Sequence, residues 1–473
     1  MADTNPSPED LAELGLTRLM RERERLDRID RYLRGVHDGP YVPRSASEEY
    51  KLLAKRAITN WLPLLVKAPS QAMAVEGFRR PAGGVGAEAG ALEWEVWQAN
   101  RMDARQASVM RAALAYGQSF VTVLPGPVTP ENPAGPARPV IRGVSPRLMY
   151  ASYEDPAGDD LPQWALQVDA VPQQEGVEVP GRLFDATTVY EVVVGGKTGP
   201  RVTGNRPHGL TRCPVVRFAP DVDLEGRVTG VVEPMIPIQD RINQNVFDLL
   251  VVATFGAFKV RTIAGMTPEF VRDADGELVY DSTTGKPRVV PIQADASRFL
   301  VAPDPDTKFN QLDETPLSGY IEAIELGVRH LAAVSQTPPF FLLGSVVNLS
   351  AEALAASEAG LTRAVDEYKH ALGEAWELVL GLCGLMVGRE MDPHAQVVWR
   401  DAGSRSLSQT VDALGKAVQM LNVPARAMWS RIPGVTATDV EDWSLIQDQD
   451  DPAARLAESM AKAVAPPVVA DAA

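Results

Sequence analysis

TPPFFLLGSVVNLSAEALAASEAGLTRAVDEYKHALGEAWELVLGLCGLMVG, residues 337–388, decides how this chain is read. It opens as an apolar loop with tandem prolines, Pro338 and Pro339, and continues as one long helical pattern. Ser350 is the expected N-cap, and Glu352 in the first turn faces the positive end of the helix dipole. Leu354, Leu361, Val365, Tyr368, Leu372, Trp376, Val379, Cys383 and Met386 recur at steps that keep them on one helix face. No proline interrupts the pattern before Pro393. At about 1.5 Å per residue, some 38 residues span roughly 55–60 Å, about three times an average globular helix. The charges at Glu352, Glu358, Arg363, Asp366, Glu367, Lys369 and Glu374 exclude a bilayer span. Two readings stay open on the pattern alone: the core helix of a big helical domain, or a helix that crosses a large assembly.

The bulk properties bound the class. With 473 residues, 45% hydrophobic and 23% charged, the chain has material for more than one globular domain. Its acidic, polar start, MADTNPSPED, is expected to be no signal peptide, and no apolar run approaches the roughly 18 residues that a membrane helix needs. Cys213 and Cys383 lack metal-ligand spacing and read as reduced thiols. The net charge is −16. A protein that grips duplex DNA presents a basic patch to the phosphates. The only arginine-rich stretch, RERERLDRIDRYLR at 21–34, interleaves acids, so a solvated helix face is expected there. An acidic protein that lets DNA slide past has this balance, and so do most soluble bacterial proteins.

Along the chain, Ser7, Pro8 and Asp10 form a capping-box pattern that starts a first helix, closed by Gly35 and Gly39-Pro40. A helical block follows at 47–74, kinked or divided by Pro63. A loop at 81–90 precedes helices at 92–100 and 103–117. From Ser119 the period changes to two: FVTVLP, PVIRGV, LMYASY, WALQVDA, TTVYEVVV and CPVVRFAP read as short strands of a β-rich block over 118–220. A helix then runs over 237–256, with Ile238, Ile242, Val246, Leu249 and Ala253 on one face and Asp240, Arg241, Asn243, Gln244 and Asp248 on the other. Short strands and turns fill 259–312, including a hairpin around Thr283, Thr284, Gly285 and Lys286, and a helix at 318–335 leads back to the apolar loop. After the long helix come a strand at 395–402, helices at 406–421 and 437–449, and an Ala-rich tail from Asp451 expected to end in disorder. The fold class is α+β, mainly helical.

Several strings look catalytic and fail on spacing. Gly195-Gly196-Lys197-Thr198 resembles the end of a phosphate-binding loop, but position 191 is Glu191 where that loop needs glycine, so a hairpin turn is expected. Asp273, Asp275 and Gly276 resemble the start of a calcium loop without its later ligands, and read as a turn. Asp304, Asp306, Asp313 and Glu314 could bind a cation, or form a solvated acidic loop. His37, His208, His330, His370 and His394 are scattered, and no G-x-S-x-G occurs. No catalytic, cofactor-binding or metal-binding residue is assigned, and no enzymatic activity is expected.

The stretch QTPPFFLLG followed by NLSAEALAASEAGLTRAVDEYKHALGE resembles portal (head–tail connector) proteins of tailed bacteriophages, in particular those of long-tailed phages of actinobacterial hosts. YLRGVHDGPYVPRSASEEYKLLAKRAITNWLPLLVKAPSQAM (32–73), ALAYGQSFVTV (113–123) and IQDRINQNVFDLLVVATFGAFKVRTIAG (238–265) extend the resemblance over roughly 30–443. None of these is a catalytic signature; their order and spacing together carry the likeness. The resemblance implies a portal fold with a wing at 1–236, stem helix one at 237–258, a clip at 259–312 and stem helix two at 313–336. It further implies a tunnel loop at 337–349, a long wing helix with its return strand at 350–403, a small crown at 404–450 and a flexible tail at 451–473.

It also implies a function: a ring of about twelve copies at a capsid vertex, a channel for packaging and ejecting double-stranded DNA without sequence specificity, assembled in the host cytoplasm. The implied partners are the chain itself, the major capsid protein, the terminase large subunit and a head-completion adaptor, with no membrane and no cofactor. The channel residues would be Pro338, Pro339, Phe340, Phe341, Leu342, Leu343, Gly344, Ser345, Val346, Val347 and Asn348; on a monomer these are too apolar for an exposed loop, and from the residues alone a buried linker between helices is the favoured reading. Asp240, Arg241, Gln244 and Asp248 are the lumen candidates on stem helix one, and Asp281, Ser282, Thr283, Thr284, Gly285 and Lys286 the docking candidates on the clip. The alternatives are another phage structural protein, minor capsid or scaffold, or a packaging ATPase or nuclease. A scaffold would carry more coiled coil, and the two enzymes would need a phosphate loop or a carboxylate metal site.

Overall fold

Ser7 opens the first helix through the expected reciprocal cap: its Oγ accepts from Asp10 N at 3.2 Å, and Asp10 Oδ2 accepts from Ser7 N at 3.0 Å. The computed structural model describes residues 6–43, 47–79, 91–127, 138–171, 176–256, 261–264, 270–273, 275–282, 284–288, 308–311, 316–344, 351–389, 394–400, 407–429, 431–432, 435 and 437–450. It is 49% helical and 18% strand, so the expected α+β class holds. Among the described residues, no helix is long and apolar enough to cross a membrane. Contacts divide the chain into a larger unit, Met1–His37 with Asn60–Gln239 and Val328–Ala473, and a smaller one, Asp38–Thr59 with Asp240–Gly327.

The first part of the chain gives α1 (Pro8–Leu33), α2 (Glu48–Arg56), α3 (Leu62–Gln71), β1 (Val75–Arg79), α4 (Ala91–Ala99) and α5 (Met102–Tyr116). The block expected at 47–74 is divided: Pro63 sits in the first turn of α3, where its missing N–H costs nothing. Then come β2 (Ser119–Pro125), β3 (Pro139–Val144), β4 (Met149–Ser152), β5 (Trp164–Val168), β6 (Val179–Phe184), β7 (Thr188–Val194), β8 (Arg201–Pro207) and β9 (Val215–Phe218). Strands β4 to β8 form an antiparallel meander, and β3-β2-β9 a second sheet. The turn between β7 and β8 contains Gly195 and Gly199 at φ 84° and 80°, so the phosphate-loop look-alike is the hairpin that its spacing called for.

The meander is covered on both faces. Trp164, Leu166, Val168, Leu183, Val192 and Val194 pack on one side against Ala12 and Leu19 of α1. Ala165, Phe184 and Val189 pack on the other against Phe120, Leu124 and Val215 of the smaller sheet, with Cys213 in the same cluster. Strand alternation produces this division directly. Cys213 and Cys383 are both buried, and burial pushes their thiols well above the ordinary range.

The arginine-rich stretch of α1 is solvated as expected at Arg21, Glu22, Glu24, Arg28, Arg31 and Arg34, but Arg23, Arg25, Asp27 and Asp30 are half-buried. Arg147, in the turn after β3, donates to Asp27 Oδ1 from Nε at 3.0 Å and Nη2 at 2.8 Å, and its Nη1 lies 3.0 Å from Asp30 Oδ2. Tyr116 donates its hydroxyl to Asp30 Oδ1 at 3.0 Å, and Arg25 pairs with Glu233 at 2.7 Å. Burial, then Asp30, raise the Tyr116 pKa to about 12. The interleaved acids thus serve to hold α1 onto β-rich structure.

The last part of the chain begins with α6 (Ile236–Gly256), β10 (Arg261–Ala264), β11 (Lys308–Gln311), α7 (Ser318–Val334), α8 (Pro339–Leu343) and α9 (Ala351–Met386). It closes with β12 (Gln396–Trp399), α10 (Leu407–Leu421), α11 (Arg426–Trp429) and α12 (Ala437–Asp450). The 36 residues of α9 amount to roughly 54 Å. Among its described side chains the buried positions run from Val365 to Gly384, whereas Leu361, one turn earlier, is only half-buried. Trp376 anchors it, 5.0 Å from the ring of Trp97 and 4.5 Å from that of Phe218. β12 returns to pair with β1, a strand that the helix-like run before it concealed.

In the smaller unit, α2 lays Leu53, Ala54 and Ala57 against Phe247 of α6, and Tyr50 meets Phe247 edge-on at 5.2 Å. A Cβ on Gly327 would sit 2.8 Å from Ile242 Cγ1, so α7 comes close to α6 there. β10 and β11 pair antiparallel, Arg261 opposite Gln311. The excursion between the two helices therefore leaves and returns through one ladder.

Two outcomes are expected. A Cβ on Gly15 would lie 2.9 Å from Leu166 Cβ, an atom that cannot swing away. Gly15→Ala should gain about 1 kcal/mol of helix propensity and lose about 1–3 kcal/mol to overpacking, for a net fall in the urea midpoint; an unchanged or raised midpoint contradicts the close approach. For Asp27, burial raises the pKa, but the hydrogen bonds and charges of Arg147 and Arg23 outweigh it and hold the carboxyl below the usual range. A depressed folded pKa stabilises above the unfolded value of about 3.9 and is lost as pH falls through the folded one. Asp27→Asn should melt below wild type at pH 7, and the gap should close under acid; a gap constant with pH shows that the pair contributes nothing.

Candidate functional site

Helix α7 ends through backbone geometry that shapes everything after it. Thr337 N donates to Ala332 O at 3.0 Å and Gln336 N to Ala333 O at 3.4 Å, with Gln336 at φ 53°. This is a Schellman ending with glutamine in the left-handed position that usually takes glycine. Pro338 then starts a new turn: Phe341 N donates to Pro338 O and Gly344 N to Phe340 O, each at 3.0 Å, and Gly344 at φ 67° closes it. Residues expected as a loop are therefore a one-turn helix, since Pro339 is preorganised at its first position and Gly344 supplies the cap. Leu342 points inward, 8% exposed, and its carbonyl accepts from Trp61 Nε1 at 3.2 Å. Phe341 points outward, 42% exposed, its ring 4.7 Å from that of Phe340. Pro338 is buried, Pro339 exposed, and Leu343 half-buried. Ser345, Val346, Val347 and Asn348 lie outside the described residues.

On α6 the buried stripe is rotated from the one the apolar residues predict. Ile236, Gln239, Ile242, Asn243 and Phe247 are its fully buried members. Ile238, Val246 and Leu249 are half-buried, and Ala253 is exposed. Asn243, expected on the polar face, is 1% exposed. Amides can be buried once hydrogen-bonded, as with Gln239 Oε1, which accepts from Trp61 N at 3.1 Å. Arg241 is exposed, whereas Asp240, Gln244 and Asp248 are half-buried. Gln244 Oε1 accepts from Tyr41 N at 3.0 Å and its Nε2 donates to Asp248 Oδ1 at 3.0 Å, so these two candidates are joined to each other and to the segment before α2.

The docking candidates form a defined turn. Tyr280 and Pro287 are bridged, Asp281 N donates to Lys286 O at 2.9 Å, Gly285 N to Asp281 O at 2.9 Å, and Thr284 N to Asp281 Oδ1 at 3.0 Å. Ser282, Thr284, Gly285 and Lys286 are exposed; Thr283 lies outside the described residues. The calcium-loop look-alike is a turn of the same kind: Asp273 Oδ1 accepts from Asp275 N and Glu277 N at 3.0 and 2.9 Å. Asp304, Asp306, Asp313 and Glu314 lie outside the described residues, and among those described no cluster of three or more His, Cys, Asp or Glu could hold a metal ion.

The order of helix, β excursion, helix, short turn and long helix meets one family. The family model described as phage portal protein, SPP1 Gp6-like, matches residues 16–453. The chain belongs to that family. It is 29% identical over 375 residues to the portal protein of Mycobacterium phage D29, covering 75% of this chain and 71% of that one. It is 28% identical over 400 residues to the portal protein of Mycobacterium phage L5, covering 80% and 74%. Portal proteins are structural and non-enzymatic, which agrees with the failed catalytic motifs. For a portal chain, the feature the sequence did not announce is Trp61: nothing in its local pattern marks an indole that closes on a carbonyl 281 residues away.

A side chain in the left-handed region costs more than glycine does. Gln336→Gly should therefore raise stability by about 0.5–1 kcal/mol, read as a higher urea midpoint. A loss of stability would mean that the glutamine side chain holds the α7–α8 junction.

Proposed function

We propose that this portal chain closes into a ring of about twelve copies around a channel through which double-stranded DNA enters and leaves the capsid. In this reading α6 and α7 are the stem, the excursion that opens with β10 and closes with β11 is the clip, and 337–349 is the tunnel loop. α9 belongs to the wing with the β-rich block, and α10 to α12 form a small crown. Asp240, Arg241, Gln244 and Asp248 contribute to the stem lumen. The turn at Asp281–Lys286 takes part in docking the terminase large subunit and then the head-completion adaptor, and the wing meets the major capsid protein at the vertex.

The observation that carries the reading is apolar surface that one chain leaves open on the elements in question. Ile321, Leu326 and Val334 of α7 are 48%, 52% and 58% exposed. On α10, Met420 and Leu421 are 78% and 74% exposed. Packing between neighbouring copies covers such surface, and a head-to-tail contact that closes produces a ring. The net charge of −16 per chain favours weak contact with passing phosphates.

Negative-stain microscopy of the purified protein should show rings with a central hole; monomers at high concentration, with and without salt, would overturn the assembly. Phe341→Lys places one cation per copy, hence a belt of about twelve, at the proposed constriction. Within a Debye length of about 8 Å these charges act on phosphates with little screening. Rings of this variant should assemble while DNA per capsid falls. Full genomes packaged at the wild-type rate would remove 337–349 from the constriction, without touching the family assignment.

A further inference from the structure

The outer edge of β3 is closed over only part of its length. Asn100 stands in for a neighbouring strand there: its Oδ1 accepts from Ile141 N at 2.9 Å, and its Nδ2 donates to Pro139 O at 3.0 Å. Val123, opposite Ile141 on β2, sends its own N–H to Pro214 O at 2.9 Å on the far side. Ile141 and Val123 are thus a non-hydrogen-bonded pair, and the alternation of the ladder makes Gly143 and Val121 another. The N–H and C=O of Gly143 therefore point away from β2. Gly143 is exposed, and among the described residues neither group has a partner.

A groove of about 500 Å³ lies between this edge and α5. Met102, Val109 and Ile141 line it with buried apolar groups. Arg105 and Arg142 line it too; both are exposed, and among the described residues neither guanidinium has a carboxylate or other side-chain partner. On a chain of net charge −16, two exposed arginines that share one groove, with no acid against either among the described residues, make a local positive site beside the open edge.

We propose that this edge takes an extended acidic peptide segment of a partner protein. The segment adds to β3 at Gly143 through main-chain hydrogen bonds, places apolar side chains over Met102 and Val109, and sets carboxylates against Arg105 and Arg142. An open strand edge is a template for pairing, and strand addition with pockets for alternate side chains is a recurrent mode of peptide capture. The charge fixes the sign of the ligand. Two cations on an acidic protein are too few to hold a run of phosphates, so a peptide fits better than a nucleic acid. This inference rests on β3 and α5 alone and does not depend on the ring.

The test is fluorescence anisotropy of the full chain at low salt with two labelled hexapeptides, alternating valine and glutamate or alternating valine and lysine. The glutamate peptide should bind and the lysine peptide should not. Arg105→Ala with Arg142→Ala should weaken binding by about tenfold or more, with melting unchanged because both side chains are exposed; Arg105→Lys with Arg142→Lys should recover part of it. Hydrogen exchange at Gly143 N–H should slow when the glutamate peptide is bound. Equal binding of the two peptides, unaltered affinity in the alanine variant, unaltered exchange at Gly143, or no binding at millimolar peptide would each overturn the proposal. So would an alanine variant that loses self-association while still binding peptide, which would give the groove to a second copy.

Discussion

The larger unit depends on how one helix is held. Trp376 of α9, Trp97 of α4 and Phe218 of β9 are each fully buried, with ring centroids 4.5–5.0 Å from the central indole. Edge-to-face pairs of this kind contribute about 0.5–1.5 kcal/mol beyond area burial. Among the described residues Trp376 Nε1 has no hydrogen-bond partner, a cost of about 1–3 kcal/mol that the packing must offset. Trp97 instead donates to Asp103 Oδ1 at 2.8 Å, which ties the start of α5 into the same joint. The joint sits in the C-terminal half of α9.

The β-rich block relies on a second constraint, a sheet covered on both faces over β4 to β7. α1 covers one side of the meander and the β3-β2-β9 sheet the other. Gly15 lets α1 descend to contact distance, and Arg147 with Tyr116 fixes its C-terminal half through Asp27 and Asp30. Apolar contact sets the depth of this docking and the ion pairs set its register along the helix. Exposed ion pairs add little stability individually; here Asp30, whose side chain is 14% exposed, is the member with the most to lose.

Legibility followed the range of the interaction. The cap at Ser7, the division at Pro63, the hairpin at Gly195 and the extents of α5, α7 and α9 were readable because each is decided within a few residues. β6 and β8 were missed because Pro180, Gly181, Gly204 and Pro207 look like turn residues; their strand character comes from neighbours in the meander. β1 was missed because its partner lies at the other end of the chain. The rotated stripe on α6 was unreadable because Gln239 and Asn243 count as polar in any periodicity, yet are buried. At the candidate site, the tandem prolines and Gly344 were visible as turn chemistry, and the family words located them in the chain. The inward Leu342 and outward Phe341 were not, since Trp61 decides which side is covered.

The pairing of β1 with β12 also has a history in time. Glu76 in β1 and Arg400 just after β12 are ion-paired at 2.8 Å across 324 residues. At a synthesis rate of about 5–20 residues per second, β1 waits on the order of 15–65 s for its partner strand to be made. Until then Gln106 can hold Val75, but the edge that β12 will take is open, and α4 has no α9 to close over it. The nascent chain is thus most exposed to wrong pairing late in translation, when many ribosomes on one message hold the same unfinished edge.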